Sequence, residues 1–309
     1  MMEEKKNVVL EINNLSVSFS MYDKGLRKRS LEVIHELNLN AYKGEIIAVV
    51  GSSGSGKSIL AHSVMGILPK NARVQGSMKF CGKNLNHKYI KEIRGKKIAF
   101  IPQSIDFLDP LMKICKQVMG PEGNRDKMKT IFKKYELDEK VGDMYPFQLS
   151  GGMARRVLIS MAMMNEVKLI VADEPTPGLS LDLAINALNS FRELADSGCA
   201  IVLITHDIDL ALNVADRIAV FYSGTIVEIT DVEDFKKGKD YLRHPYSKAF
   251  IDALPQNSFR GIGGFQPYAG NLPKGCLFQD RCPNRTSKCS GKIDMRMVRG
   301  GKVRCINAD

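Results

Sequence analysis

Three short stretches carry residue types that could act on a phosphate chain. Gly51-Ser52-Ser53-Gly54-Ser55-Gly56-Lys57-Ser58 fits the spacing G-x-x-x-x-G-K-[ST]. Glycines there let the backbone turn its N–H groups inward around an anion. A helix that follows adds the positive end of its dipole. Lys57 is then placed to reach the outer phosphates and Ser58 to ligate Mg²⁺. The second stretch, KLIVADEP, is a buried strand ending in Asp173 and Glu174. Asp173 is placed to hold Mg²⁺ through water, and Glu174 to polarise an attacking water. The third, LSGGMARR, puts Ser150 at the N-cap of a helix beginning near Met153. Gly151 and Gly152 leave the first N–H groups of that helix bare, which makes a second anion site in the same chain.

These stretches need elements to hold them. IIAVV (46–50) is a strand running into the glycine loop, and ILAHSVMGIL is a helix that Pro69 stops. Residues 8–50 read as β-rich and KKIAFIPQ (96–103) as a further strand. Residues 104–148 carry helical pattern with Pro and Gly breaks. With the helix MARRVLISMAMM that follows, they form an inserted helical lobe of about 104–165. LDLAINALNSFREL is a helix, CAIVLITHD a strand and DLALNVAD a helix. Strands alternating with helices predict an α/β fold with a mainly parallel sheet. From about Tyr241 Pro, Gly, Asn and Cys rise and periodicity fades, so a boundary is expected near residue 240.

The chain has 309 residues, 45 basic against 34 acidic, for a formal charge of +11. That balance suits anionic partners such as nucleotides, nucleic acid or an acidic lipid surface, without choosing among them. The apolar runs are strand-length, well short of the roughly 20 residues that a membrane helix needs. No signal-peptide core follows the charged N-terminus. The chain is therefore expected to be cytosolic and not to cross a bilayer itself.

The ordered set of motifs resembles the nucleotide-binding subunit of an ABC transporter, over nearly the whole chain. The glycine loop, Gln103, LSGG, Asp173-Glu174 and His206 in THD occur in that family's order. The resemblance implies a P-loop ATPase of ABC type, in which an antiparallel β subdomain and the helical lobe flank the parallel core. It implies ATP and Mg²⁺ as ligands. It also implies two such subunits packed head to tail, each ATP clamped between one chain's glycine loop and the other's LSGG. Gln103 is expected to sense Mg²⁺ and the transmembrane partner. His206 is expected to contact the γ-phosphate and position the attacking water. An aromatic side chain near the N-terminus is expected to stack on adenine, Phe19 first and Tyr22 as the alternative. Two positions depart from the family pattern. Arg155 stands where the family has Gln, and Ser180 where it has Asp on a loop that crosses the dimer interface, with Asp182 following. One composite site is then weakened, which favours a heterodimer with a related partner subunit.

The tail narrows the resemblance. RHPYSKAFIDALP and LPKGCLFQDRCPNRTSKC are similar to the C-terminal extension of peptide and nickel importer subunits, over residues 241–309. Its cysteines, Cys276, Cys282, Cys289 and Cys305, are spaced C-x5-C-x6-C-x15-C. Four thiolates can ligate a [4Fe–4S] cluster or zinc, and the wide gaps lean toward iron–sulfur, with unoccupied thiols as the third reading. Arg243, Arg281 and Arg285 are expected on a solvated surface. The basic stretch Lys24–Arg29 is assigned no function.

The leading expectation is an ATPase at the cytoplasmic face of the membrane, peripheral to it, energising import of peptides or nickel complexes. Its partners would be two permease subunits and an extracytoplasmic solute-binding protein. A regulatory, hydrolysis-poor partner subunit is the alternative. A soluble nucleic-acid ATPase is the remote one, and nucleic acid is not expected as a partner, since the chain holds one nucleotide domain and no long basic insertion. The motifs do not name the cargo.

Overall fold

Two strands of fifteen residues open the fold, Val8–Tyr22 (β1) and Lys28–Tyr42 (β2), paired antiparallel with several bulges. The computed structural model describes residues 7–22, 25, 27–121 and 123–309. After Ile46–Val50 (β3) and the glycine loop comes Lys57–Met65 (α1). Ala72–Phe80 (β4) and Lys83–Asn84 (β5) then join β1 in a four-stranded sheet of order β2-β1-β4-β5. His87–Ile93 (α2) leads to Ile98–Ile101 (β6). The helical lobe follows, with Ile114–Met119 (α3), Arg125–Lys134 (α4) and the long Gly151–Met163 (α5). Leu169–Asp173 (β7), Leu181–Asp196 (α6), Ala200–Thr205 (β8) and Ile208–Val214 (α7) alternate as expected. Arg217–Tyr222 (β9), Thr225–Asp231 (β10) and Val232–Lys236 (α8) come next. The tail holds Pro245–Asp252 (α9) and a hairpin of Arg296–Val298 (β11) and Gly301–Val303 (β12).

The main sheet has the order β11-β12-β10-β9-β3-β8-β7-β6. The five strands from β9 to β6 are parallel, and β10, β12 and β11 are antiparallel to their neighbours. β3 is fully buried on both faces, as a central strand of a parallel sheet must be. Its alternate residues serve two cores. Ile46, Ala48 and Val50 pack with Val157 and Leu158 of α5 and Leu188 and Phe191 of α6. Ile47 and Val49 face Leu60 and Val64 of α1 and the small sheet.

Helix α1 ends earlier than Pro69. Gly66 takes a left-handed conformation at φ 62°, and Ile67 N–H bonds back to the His62 carbonyl, so the helix closes three residues before the proline. The sequence reading assigns no element to β9 or β10. β9 is a short apolar run of a kind that periodicity cannot assign, and β10 carries Glu228, a fully buried charge, in its middle.

That charge explains a larger correction. Arg243 is not solvated but 4% exposed. Its Nη1 donates to Thr230 Oγ1 (2.8 Å) and faces Glu228 (3.4 Å), and its Nη2 donates to Asp234 (2.7 Å). Its Nε donates to the Val298 carbonyl (2.7 Å), and Nη2 also reaches the Arg299 carbonyl. One guanidinium thus staples the β11–β12 turn to β10, and β12 pairs with β10 through Glu228 and Ile229. The tail completes the main sheet. Arg281 is half-buried as well, donating to Tyr222 Oη and to the carbonyls of Ile262 and Gly263. Arg285 is exposed and paired with Asp280.

Candidate nucleotide site

The chemistry-bearing residues sit at the carboxyl ends of four adjacent parallel strands, where open α/β sheets bind ligands. β3 runs into Gly51, β6 into Pro102 and Gln103, β7 into Asp173 and Glu174, and β8 into His206. A cavity of about 290 Å³ lies there, lined by Val33, Ser53, Gly54, Gly56, Lys57, Ser58, Ile59, Gln103, Asp173 and Glu174. Residues drawn from three separate motifs, together with Val33 of β2, therefore meet in one place.

Within the glycine loop the backbone leaves no room for a side chain at its first position. A Cβ on Gly51 would stand 2.2 Å from the Phe221 carbonyl oxygen of β9. Lys57 is buried, and its ammonium donates to the Gly51 and Ser52 carbonyls at 2.8 and 2.9 Å. Burial pulls its pKa down, while Glu174 and Asp173 oppose that shift. Ser55 is buried with the loop, its hydroxyl unpartnered among the described residues. Ser52 instead points outward and bonds Gln266 of the tail at 2.8 Å.

Asp173 is 1% exposed, and burial raises its pKa, with a hydrogen bond from Ser58 working against the rise. Its Oδ1 is buried without a partner among the described residues. An orphaned carboxylate oxygen beside a serine hydroxyl and the Gln103 amide is a hard-oxygen donor set that fits Mg²⁺. Glu174 is buried and holds a left-handed φ of 49°. Such a backbone costs about 1–3 kcal/mol in a non-glycine residue and persists where the surroundings impose it. Here Glu174 N–H bonds the Ile204 carbonyl (2.9 Å), and Glu174 Oε2 meets His206 Nδ1 at 2.8 Å. His206 is the exposed member of the pair, 62% exposed at its side chain.

Ser150 caps α5 as expected, its Oγ accepting from Met153 N–H at 3.3 Å. Ser150, Gly151 and Gly152 do not line this chain's own cavity. Phe19 is half-buried, paired across β1 with Leu31 and Ala72 and packed on the small-sheet core. It does not line the phosphate cavity, and Val33 does. Tyr22 is 65% exposed beside Lys28. Nothing in the local pattern of β2 singles out Val33; its place comes from how β2 crosses the loop, 3.3 Å from the position of a Cβ on Gly56.

The comparisons with known proteins agree with this geometry. A family model described as ABC transporter matches residues 34–177, and one described as oligopeptide/dipeptide transporter, C-terminal region, matches 227–289. The chain is 32% identical to the oligopeptide transport ATP-binding protein OppD of Salmonella typhimurium, over 96% of this chain and 93% of that one. It is 33% identical to the dipeptide transport ATP-binding protein DppD of Bacillus subtilis, over 91% and 88%. The chain belongs to the ATP-binding subunits of ABC transporters. Among solved structures, a dimeric bacterial ABC transporter cassette superposes with a TM-score of 0.64 at 26% identity, over 72% of this chain and 98% of that one. This subunit is thus an ATPase coupled to transport, with the cassette fold and the oligopeptide/dipeptide type of extension. No described helix is long and apolar enough to cross a membrane.

The extension brings its four cysteines into one neighbourhood, but not as a ligand set. Cys276, pushed up to about 11 by burial, also feels the charges of Cys305, Cys282 and Cys289. Cys276 N–H bonds the Cys289 carbonyl at 2.8 Å. Among the described residues, no three His, Cys, Asp or Glu side chains are arranged to hold a metal ion. Burial raises the pKa of Cys282 and Cys305 as well. The basic stretch also acquires a place, although Lys24 and Leu26 lie outside the described residues. Arg29 donates to the Gly270 carbonyl at 2.6 Å and lies over the Tyr268 ring.

Proposed function

We propose that this subunit powers the import of short peptides, as one of two ATP-binding subunits beneath a pair of permease subunits supplied by an extracytoplasmic solute-binding protein. One observation carries the reading. The cavity holds the lysine, the acids and Gln103, while the bare helix start at Ser150–Gly152 lies outside it. A second anion site unused by its own chain is of use to another, which makes a head-to-tail pair the functional unit. Each nucleotide is then held by Lys57 and the loop amides from one side and by the partner subunit's helix start from the other. Ser58, Asp173 and Gln103 would hold Mg²⁺, and the ion would supply neutralisation of the charge that develops on the phosphates. Glu174 accepts a proton from the attacking water, and His206 holds Glu174 in place while facing the outer phosphate.

The permease contact falls on the helical lobe. Downstream of Gln103, Ile105, Phe107, Leu111 and Met112 are exposed, and Phe147, stacked on Tyr145, is 76% exposed. Ile114 N–H bonds the Met144 carbonyl, so these two segments lie side by side. Apolar exposure of that kind marks a binding face. A contact through this face would leave the subunit peripheral to the membrane, on its cytoplasmic side. Ser180 favours a pair with a related but different subunit. It starts α6 without a side-chain cap and lacks the carboxylate that this loop otherwise brings to the interface.

Uptake of a labelled dipeptide and of labelled nickel, side by side in cells with and without this chain, tests the cargo. Loss of peptide uptake supports the proposal, and loss of nickel uptake alone replaces it with a nickel importer. Cells carrying Glu174→Gln separate cargo from chemistry: the variant is expected to bind ATP, fail to hydrolyse it and abolish uptake. Metal and sulfide analysis of the purified chain distinguishes an iron–sulfur cluster or zinc from free thiols.

A further inference from the structure

Arg155 replaces the glutamine of the family signature, and its surroundings are unlike those of a surface helix residue. It stands in the first turns of α5 and is 7% exposed. Its Nη1 donates to the Pro102 carbonyl at 2.6 Å, and its Nη2 donates to the Gln103 carbonyl. These two consecutive carbonyls belong to the segment leaving β6, where the strand ladder with β7 has ended at Ile101. Without a partner, the Pro102 carbonyl would be left unpaired in a buried setting and the Gln103 carbonyl in a partly buried one. A guanidinium is a planar fork whose two terminal nitrogens can serve two neighbouring acceptors at once. Glutamine is shorter, is neutral and ends in a single donor nitrogen, so it lacks the charged two-nitrogen fork that makes these bonds.

The fork also brings charge. Asp173 and Glu174 are near enough for each to stabilise the protonated guanidinium against the effect of its burial. Arg155 and Lys57 are therefore two buried cations near the acidic strand end. The backbone that Arg155 holds is that of Gln103, whose residue lines the phosphate cavity with Asp173 and Ser58.

We propose that Arg155 is a positioning residue: by bonding the Pro102 and Gln103 carbonyls it locks the loop after β6 to the signature helix, and so sets Gln103 at the Mg²⁺ position. The proposal rests on the ATPase reading of the site. It assigns to Arg155 no contact with nucleotide or metal, only control of the residue that makes one.

The test is Mg²⁺ titration of the binding of a fluorescent ATP analogue to the purified full chain, with thermal unfolding measured on the same samples. R155Q is expected to raise the Mg²⁺ concentration for half-saturation about tenfold, the lower end of what loss of an outer-shell partner costs a metal site. Nucleotide binding in excess EDTA should be unchanged. R155K, with one donor centre and the charge kept, should recover part of the shift, and it carries the same test if R155Q does not fold. In a Gln103→Ala background, R155Q should change the half-saturation less than twofold, because the group through which it acts is gone. A lowered Tm with unchanged Mg²⁺ half-saturation overturns the proposal, and so does an equal shift in the Gln103→Ala background. A wild-type chain that binds no nucleotide overturns the ATPase reading, and the proposal with it.

Discussion

Replacing Arg243 by methionine tests whether the tail is stapled to the core by one buried charge. Methionine keeps an unbranched apolar stem, so the loss falls on the guanidinium. Three consequences can be separated. Asp234 is 25% exposed at its side chain and can rehydrate when its partner goes. The Val298 carbonyl, and that of Arg299, lose a charged donor. Glu228 cannot rehydrate, because it is fully buried, and among the described residues it retains the backbone N–H groups of Arg243 and His244, at 2.9 and 2.8 Å. Removing one partner of such a buried pair costs about 3–5 kcal/mol, and Glu228 accounts for most of it here. Urea unfolding of the full chain followed by circular dichroism measures the loss. Hydrogen exchange over residues 296–303 shows where it falls, and protection there should collapse before that of β3 and β8. A loss below about 1 kcal/mol, with the hairpin still protected, would refute the reasoning. It would mean that the β12–β10 pairing holds the tail without the staple.

Two further expectations follow from single side chains. Gly51→Ala puts a methyl 2.2 Å from a backbone carbonyl of β9, which no rotamer can relieve. It should destabilise the chain by about 1–3 kcal/mol and abolish ATP binding, checked by thermal unfolding and nucleotide titration. His244 is fully buried, and burial alone lowers its pKa to about 3. The folded state keeps it neutral, with Nδ1 accepting from Tyr246 N–H at 3.0 Å, while the unfolded state binds a proton near pH 6.5. The unfolded chain therefore holds more protons between about pH 3 and 6.5, and stability contributed above that window is lost as pH falls through it. The slope from this group is about 1.4 kcal/mol per pH unit. His244→Asn, which retains an N-cap acceptor, should flatten the acid side of the stability curve measured by urea midpoint. An unchanged slope would assign the acid loss to other groups.

Much of the nucleotide site is legible in the chain because its signals are local. The glycine loop, the acids of β7 and Ser150 each need only their immediate neighbours: a buried strand before, a helix after, or a cap. Strand-to-helix alternation then forces the parallel sheet, which gathers the strand ends that carry Gly51, Gln103, Asp173 and His206. What lies between distant segments was not legible. Val33 lines the cavity because β2 crosses the loop. Arg155 and Gln103 are 52 positions apart, and Arg243 meets Val298 across 55. A charged residue reads as solvated in any short window, since burying it is unfavourable until the fold supplies carbonyls and a counter-charge together. The cysteines show the converse limit. Their spacing suggests a ligand set, but whether four thiols converge as ligands depends on the direction of each Cβ, and only the tertiary structure determines that.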